Sequence, residues 1–185
     1  MKIEQRKQFL EQKRNVASRQ VKESLIRKRF FDLYFNKFKE SKLLAYCPKF
    51  PEIDHGNVEL LKRLGSIGFP KSYSDSLSMR FFEVTNPAQL KPGEYGILEP
   101  EEKNEITNFK KYVILVPNIC CDEKFGRLGM GKGYYDRFLA GLDNIKIGLC
   151  FDELLIERLC TEPLDIKLDI IITESKIYNN SRATP

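Results

Sequence analysis

Residues 113–116 read Val-Ile-Leu-Val and are closed by Pro117. The chain then passes through Gly126, Gly129, Gly131 and Gly133 into Tyr134-Tyr135-Asp136-Arg137. A short, wholly apolar run is the mark of a strand buried on both faces, as in a parallel sheet. In open α/β sheets ligands bind beyond the carboxyl ends of such strands. Glycines let the backbone take positive φ and approach a ligand closely. A helix start offers unpaired N–H groups and the positive end of its dipole, a natural anion site. Arg127 and Lys132 add full positive charge to that loop. Asp136, within the first turn of the following helix, is a candidate magnesium ligand. The loop is not a Walker A motif, because Lys132 is followed by Gly133, and no GxGxxG opens a βαβ unit. A purely structural glycine turn is the competing reading.

The rest of the chain agrees with an α/β class in which strands alternate with helices around a largely parallel sheet. Residues 3–38 read as two helices, rich in Glu, Gln, Lys and Arg. Ser18 is a candidate cap for the second, where Val21, Leu25, Ile26, Phe30, Leu33 and Tyr34 recur at helical spacing. Strands are expected at residues 43–47, 67–70, 79–84, 113–116, 145–151 and 168–173. Helices are expected at residues 57–64, with Asn57 as N-cap, at 133–142 and at 153–160. Residues 86–100, dense in Pro and Gly, read as loop. One domain is expected over residues 1–178, with the N-terminal helices packed on it and 179–185 as a flexible tail.

Composition bounds the function. With 185 residues, 42% hydrophobic and 31% charged, the chain can bury a single substantial core. A net charge of +5 suits an anionic ligand but is too small and dispersed to imply nucleic acid. Cysteines at 47, 120, 121, 150 and 160 show no CxxC spacing, and their odd number points to reduced thiols in a cytoplasmic protein. His55 is the only histidine, which leaves too few ligands for a zinc site. No apolar run reaches membrane-spanning length.

The wording of the glycine loop is more specific than its glycine content. Arg127-Leu128-Gly129-Met130-Gly131-Lys132-Gly133-Tyr134-Tyr135-Asp136-Arg137 resembles the RxGxGKGYYDR signature of the 5-formyltetrahydrofolate cyclo-ligases, or methenyltetrahydrofolate synthetases. The resemblance runs along nearly the whole chain. Lys2 and Arg6 resemble that family's early K-x-x-x-R, and Glu52-Ile53-Asp54 its E-[VI]-[DE] segment. Pro70 and residues 79–84 are similar to its P…M-x-F strand, and Tyr95-Gly96-Ile97-Leu98-Glu99-Pro100 to its aromatic-G-I-x-E-P loop. Val116-Pro117 and the segment from Asp165 through Asp169 to Thr173-Glu174 complete the match. The chain departs from the family at Leu164, where His is common, at His55, where Thr is common, and in lacking a Gln among residues 152–159.

The resemblance implies a reaction. 5-Formyltetrahydrofolate and MgATP would give 5,10-methenyltetrahydrofolate, ADP and phosphate, by phosphorylation of the formyl oxygen and ring closure by N10. Such phosphoryl transfer needs positioning and charge neutralisation rather than a protein nucleophile. It also implies roles. Lys2, Arg6, Arg127 and Lys132 would hold ATP phosphates, with backbone from Gly129, Gly131 and Gly133. Tyr134 and Tyr135 would border the junction of nucleotide and folate, and Arg127, Lys132 and Tyr134 would be catalytic. Asp136, with Asp169 or Asp165, would hold Mg2+. Glu52 would accept hydrogen bonds from the pterin, and Met79, with Phe81 or Phe82, would pack on the substrate rings. The expected partners are the folate and MgATP, with no membrane and no nucleic acid, and the expected state is a monomer.

Two other readings fit the same residues. One is a non-catalytic relative that binds a nucleotide or RNA through the basic loop and through Arg14, Arg19, Arg27, Lys28 and Arg29. The other is a small phosphotransferase acting on another substrate, which would keep Arg127, Lys132 and Asp136 but not the roles of Glu52 and Met79.

Overall fold

The computed structural model describes residues 2–93 and 96–181. Among these residues four α-helices flank an eight-stranded sheet: α1 (Lys2–Arg14), α2 (Arg19–Lys37), α3 (Asn57–Leu64) and α4 (Tyr134–Leu139). The sheet takes β1 (Lys42–Leu44), β2 (Ile67–Tyr73), β3 (Ser78–Val84), β6 (Glu105–Ile106), β7 (Tyr112–Leu115), β10 (Lys146–Leu149), β12 (Ile170–Ile172) and β13 (Ile177–Asn179). Their order is β13-β12-β10-β7-β1-β2-β3-β6. The five central strands run parallel, and β13, β3 and β6 add antiparallel edges. β7 is central and buried throughout, as its unbroken apolar run requires.

The helices form for legible reasons. α2 buries Ile26, Phe30, Phe31 and Tyr34 on one face, and the Tyr34 hydroxyl donates to the Ser41 carbonyl at 2.6 Å. Gly56, not the expected Asn57, is the N-cap of α3 and no side chain caps it; the Gly56 N–H donates to Asp54 Oδ1 at 2.9 Å in a turn that leads into the helix. It ends on Gly65 at φ 76°, a left-handed stop. α1 buries only Phe9 and Lys13 and docks mainly by polar contacts. Ser18 stands at the cap position of α2 but makes no capping bond with its side chain. No helix among the described residues is long and apolar enough to cross a membrane.

Several elements depart from expectation. Residues 153–160 are not a helix. A 3-10 turn (Asp152–Leu154) leads into strand β11 (Leu155–Ile156), which pairs with β8 (Cys120–Asp122). The buried Asp122 carboxylate then accepts from the Leu159, Gly126 and Lys124 N–H groups, and this tertiary pairing overrides helix propensity. β8 also pairs with β9 (Arg127–Leu128), so a hairpin precedes the glycine loop. The expected loop at residues 86–100 contains a 3-10 turn (Pro87–Gln89) and a hairpin of β4 (Leu90–Pro92) and β5 (Leu98–Pro100). β13 carries the sheet to Asn179, the first residue of the expected tail. Tyr95, expected in the aromatic-G-I-x-E-P loop, lies outside the described residues.

Candidate active site

The loop after β9 is held from two sides. Arg6 of α1 donates through Nε to the Gly129 carbonyl at 2.8 Å. Arg137 of α4 donates through Nη2 to the Lys132 carbonyl at 2.8 Å and through Nε to the Leu77 carbonyl at 2.8 Å. Gly131 (φ 93°) and Gly133 (φ 70°) take the left-handed backbone that the turn requires. At Gly131 an added Cβ would sit 2.9 Å from the Arg6 guanidinium carbon, so the glycine makes room for the arginine. α4 is one and a half turns long, from Tyr134 to Leu139, shorter than the expected residues 133–142.

Within this frame Arg127 and Asp136 meet. Arg127 Nη2 donates to Asp136 Oδ1 at 2.7 Å, and the arginine side chain is only 4% exposed. Arg127 Nε is buried and makes no hydrogen bond, so its donor capacity exceeds its partners. The Ile166 N–H also reaches Asp136 Oδ1 at 3.2 Å. Both bonds fall on Oδ1, which leaves Oδ2 without one among the described residues. No cluster of three or more His, Cys, Asp or Glu side chains stands ready to hold a metal among them. A magnesium ion that bridges phosphates needs only one or two carboxylates and keeps several waters, so Asp136 fits that demand.

The remaining expected residues divide. Lys2 binds the Asp165 carboxylate at 2.7 and 2.8 Å and lies 3.3 Å from Glu162, so helix α1 is tied to the loop before β12. Asp169 accepts from the Lys146 N–H at 2.8 Å at the amino ends of β10 and β12, away from the strands' carboxyl ends. Met79 is buried on β3 and alternates with Phe81, whose ring lies 4.7 Å from that of Phe138 on α4. Lys132 and Gly129 lie on the loop itself, Lys132 exposed.

The Arg127 guanidinium stands 6.0 Å from the Tyr135 ring centre. Burial holds the Tyr135 phenol well above its usual value, with Glu52 and Cys47 adding to the rise and Arg127 opposing it. Tyr134 stacks under the Arg137 guanidinium at 5.6 Å. Glu52 lines a cavity of about 400 Å3 with Arg19, Glu23, Cys47, Phe50 and Leu98. Burial raises the Glu52 carboxyl, opposed by the Lys49 N–H bond and by the charges of Lys13 and Lys49. Tyr135 thus feels both groups: the Arg127 guanidinium lies near its ring, and the Glu52 charge acts on its phenol.

Sequence reasoning named Arg19 only as one base of a nucleotide- or RNA-binding face, whereas it lines this cavity, and it missed Lys13, which is 2% exposed and donates to the Asn118 carbonyl at 2.6 Å beyond the end of β7. Lys13 falls on the α1 stripe of Lys2, Arg6 and Phe9, a helical spacing that contained the signal.

The family profile described as the 5-formyltetrahydrofolate cyclo-ligase family matches residues 1–174. The chain is 39% identical to the 5-formyltetrahydrofolate cyclo-ligase of Escherichia coli over 69 residues, 36% of this chain and 38% of that protein. Across the first curated relatives the aligned stretches span about half of the relative's length or less. Two solved structures align more fully. The NMR structure of 5,10-methenyltetrahydrofolate synthetase from Aquifex aeolicus superposes with a TM-score of 0.81 at 31% identity, over 96% of this chain and 92% of that one. The 5,10-methenyltetrahydrofolate synthetase of Mycoplasma pneumoniae superposes with a TM-score of 0.74 at 25% identity, over 94% and 98%.

Proposed function

Because the chain belongs to the 5-formyltetrahydrofolate cyclo-ligase family, we propose that it converts 5-formyltetrahydrofolate to 5,10-methenyltetrahydrofolate at the expense of ATP. The observation that carries this reading is the Arg127–Asp136 pair at the glycine loop, which Arg6 of α1 and Arg137 of α4 hold in place.

In this reading Lys2, Arg6, Arg127 and Lys132 bind the phosphates, and the Gly129, Gly131 and Gly133 backbone lets them approach. Lys2 would exchange its Asp165 partner for a phosphate oxygen, a trade between charge-assisted bonds of similar strength. Asp136, with Asp165 from the neighbouring loop, would hold Mg2+, which supplies charge neutralisation at the transferred phosphoryl group. Asp169, committed to Lys146, serves the sheet. Glu52 accepts from pterin N–H groups and fixes the ring, and Met79 packs on it. Tyr134 and Tyr135 close the junction and exclude water.

The formyl oxygen attacks the γ-phosphorus and the bond to ADP breaks. N10 then attacks the formyl carbon, the carbon–oxygen bond breaks, phosphate leaves with that oxygen, and N10 loses its proton. Substrate labelled with heavy oxygen in the formyl group tests this directly. The label should leave in phosphate, and label found in water would contradict the sequence of steps. One chain carries both half-sites, so we expect a monomer to act. Five free thiols suit a reducing compartment, and we infer a cytoplasmic location.

A further inference from the structure

Arg19, the first residue of α2, makes more contacts than its place on a helix end requires. Its Nη1 donates to the Lys13 carbonyl at 2.7 Å, near the end of α1. Its Nη2 donates to the Pro51 carbonyl at 2.6 Å and to the Glu52 carbonyl at 3.2 Å, and pairs with Glu23 at 2.9 Å. The guanidinium also stands 5.1 Å from the ring centres of both Phe50 and Phe151. A planar fork can bridge two chain segments and two rings at once, whereas a lysine ammonium is a single point charge.

The segment that Arg19 grips is the cavity wall. Phe50 is 65% exposed although its ring packs on the guanidinium, so the ring stands at the cavity as an open platform. Glu52 has one oxygen fixed by the Lys49 N–H at 2.9 Å, and its other makes no hydrogen bond among the described residues. Both backbone carbonyls of Pro51 and Glu52 turn to Arg19, which fixes where the Phe50 ring and the Glu52 carboxylate stand. We propose that Arg19 is a positioning residue for the substrate. It holds an aromatic platform and a carboxylate acceptor on one cavity wall, a pair that suits a flat heterocycle bearing N–H donors. This rests on the cyclo-ligase reading above, in which that heterocycle is the pterin of 5-formyltetrahydrofolate. The Lys13 carbonyl in the same fork ties the wall to α1, the helix that carries Arg6.

The test is the Arg19→Lys variant, which keeps the charge and loses the fork. KM for 5-formyltetrahydrofolate should rise about tenfold, the loss expected for a charge-assisted bond, while kcat and KM for ATP stay within about twofold. Should Arg19→Lys fold poorly, Glu23→Gln removes only the ion pair and should raise the same KM about threefold. Amide exchange over residues 49–53 should quicken in either variant. An unchanged folate KM, or a parallel rise in both KM values with a lower melting temperature, overturns the inference in favour of a merely structural arginine. A wild-type protein that makes no product removes the cyclo-ligase reading and the inference with it. An active wild type with an unaltered variant removes the inference alone.

Discussion

Arg127 and Asp136 hold each other, with Nη2 and Oδ1 2.7 Å apart and the arginine almost wholly buried. One was expected to meet phosphate and the other a cation, so ligand binding must share or replace this bond. Arg127→Met would leave Asp136 without its charged partner in a partly buried site. Chemical denaturation should show a loss of about 3 kcal/mol, the scale for breaking a buried pair from one side. Turnover should fall at least about a hundredfold if the arginine also meets the transferred phosphoryl group.

Gly131 and Gly65 both take left-handed backbone, but only Gly131 has Arg6 against it. Alanine at either should cost about 1 kcal/mol or more of stability from backbone strain. At Gly131 the added methyl also displaces Arg6, so KM for ATP should rise there and stay unchanged in Gly65→Ala. Steady-state kinetics on the two variants separates strain from site geometry.

Lys2 and Asp165 form a partly exposed pair, with side chains 20% and 18% exposed. Lys2→Ala should change stability by less than about 1 kcal/mol, the usual range of such pairs. Its KM for ATP should nonetheless rise about tenfold, because a phosphate contact is lost. Melting curves beside ATP titrations decide the point.

His55 is fully buried, and burial lowers its pKa from the usual 6.5 to about 4, against the Tyr46 carbonyl bond and Asp54, which raise it, while Arg27 lowers it further. The folded state therefore favours the neutral ring, whereas the unfolded chain takes up a proton first as pH falls. This contribution is complete above pH 6.5 and is lost between pH 6.5 and about 4, to a total of about 3 kcal/mol. His55→Gln should remove that part of the acid slope, as measured by denaturation at stepped pH.

Much of the fold was legible because its signals are local. The 113–116 run gave β7, and the spacing of Ile26, Phe30 and Tyr34 gave the buried face of α2. The segment at 153–160 was not legible, because Leu155 and Ile156 pair with Cys121 and Asp122 from over thirty residues earlier in the chain. The same limit applies to the site. The motif marked Arg127 and Asp136 as functional, but not that they bond to each other. Nor could it show that Arg19 grips the Glu52 segment, because those bonds are made to backbone carbonyls, which carry no residue identity.

The most direct measurement follows the near-ultraviolet absorbance of methenyltetrahydrofolate with purified protein, MgATP and 5-formyltetrahydrofolate. Product should form only when all three are present, and Lys132→Ala, altered on the exposed loop, should fold normally yet lose at least about a hundredfold in rate. A folded wild-type protein that binds ATP but forms no methenyltetrahydrofolate would contradict the account.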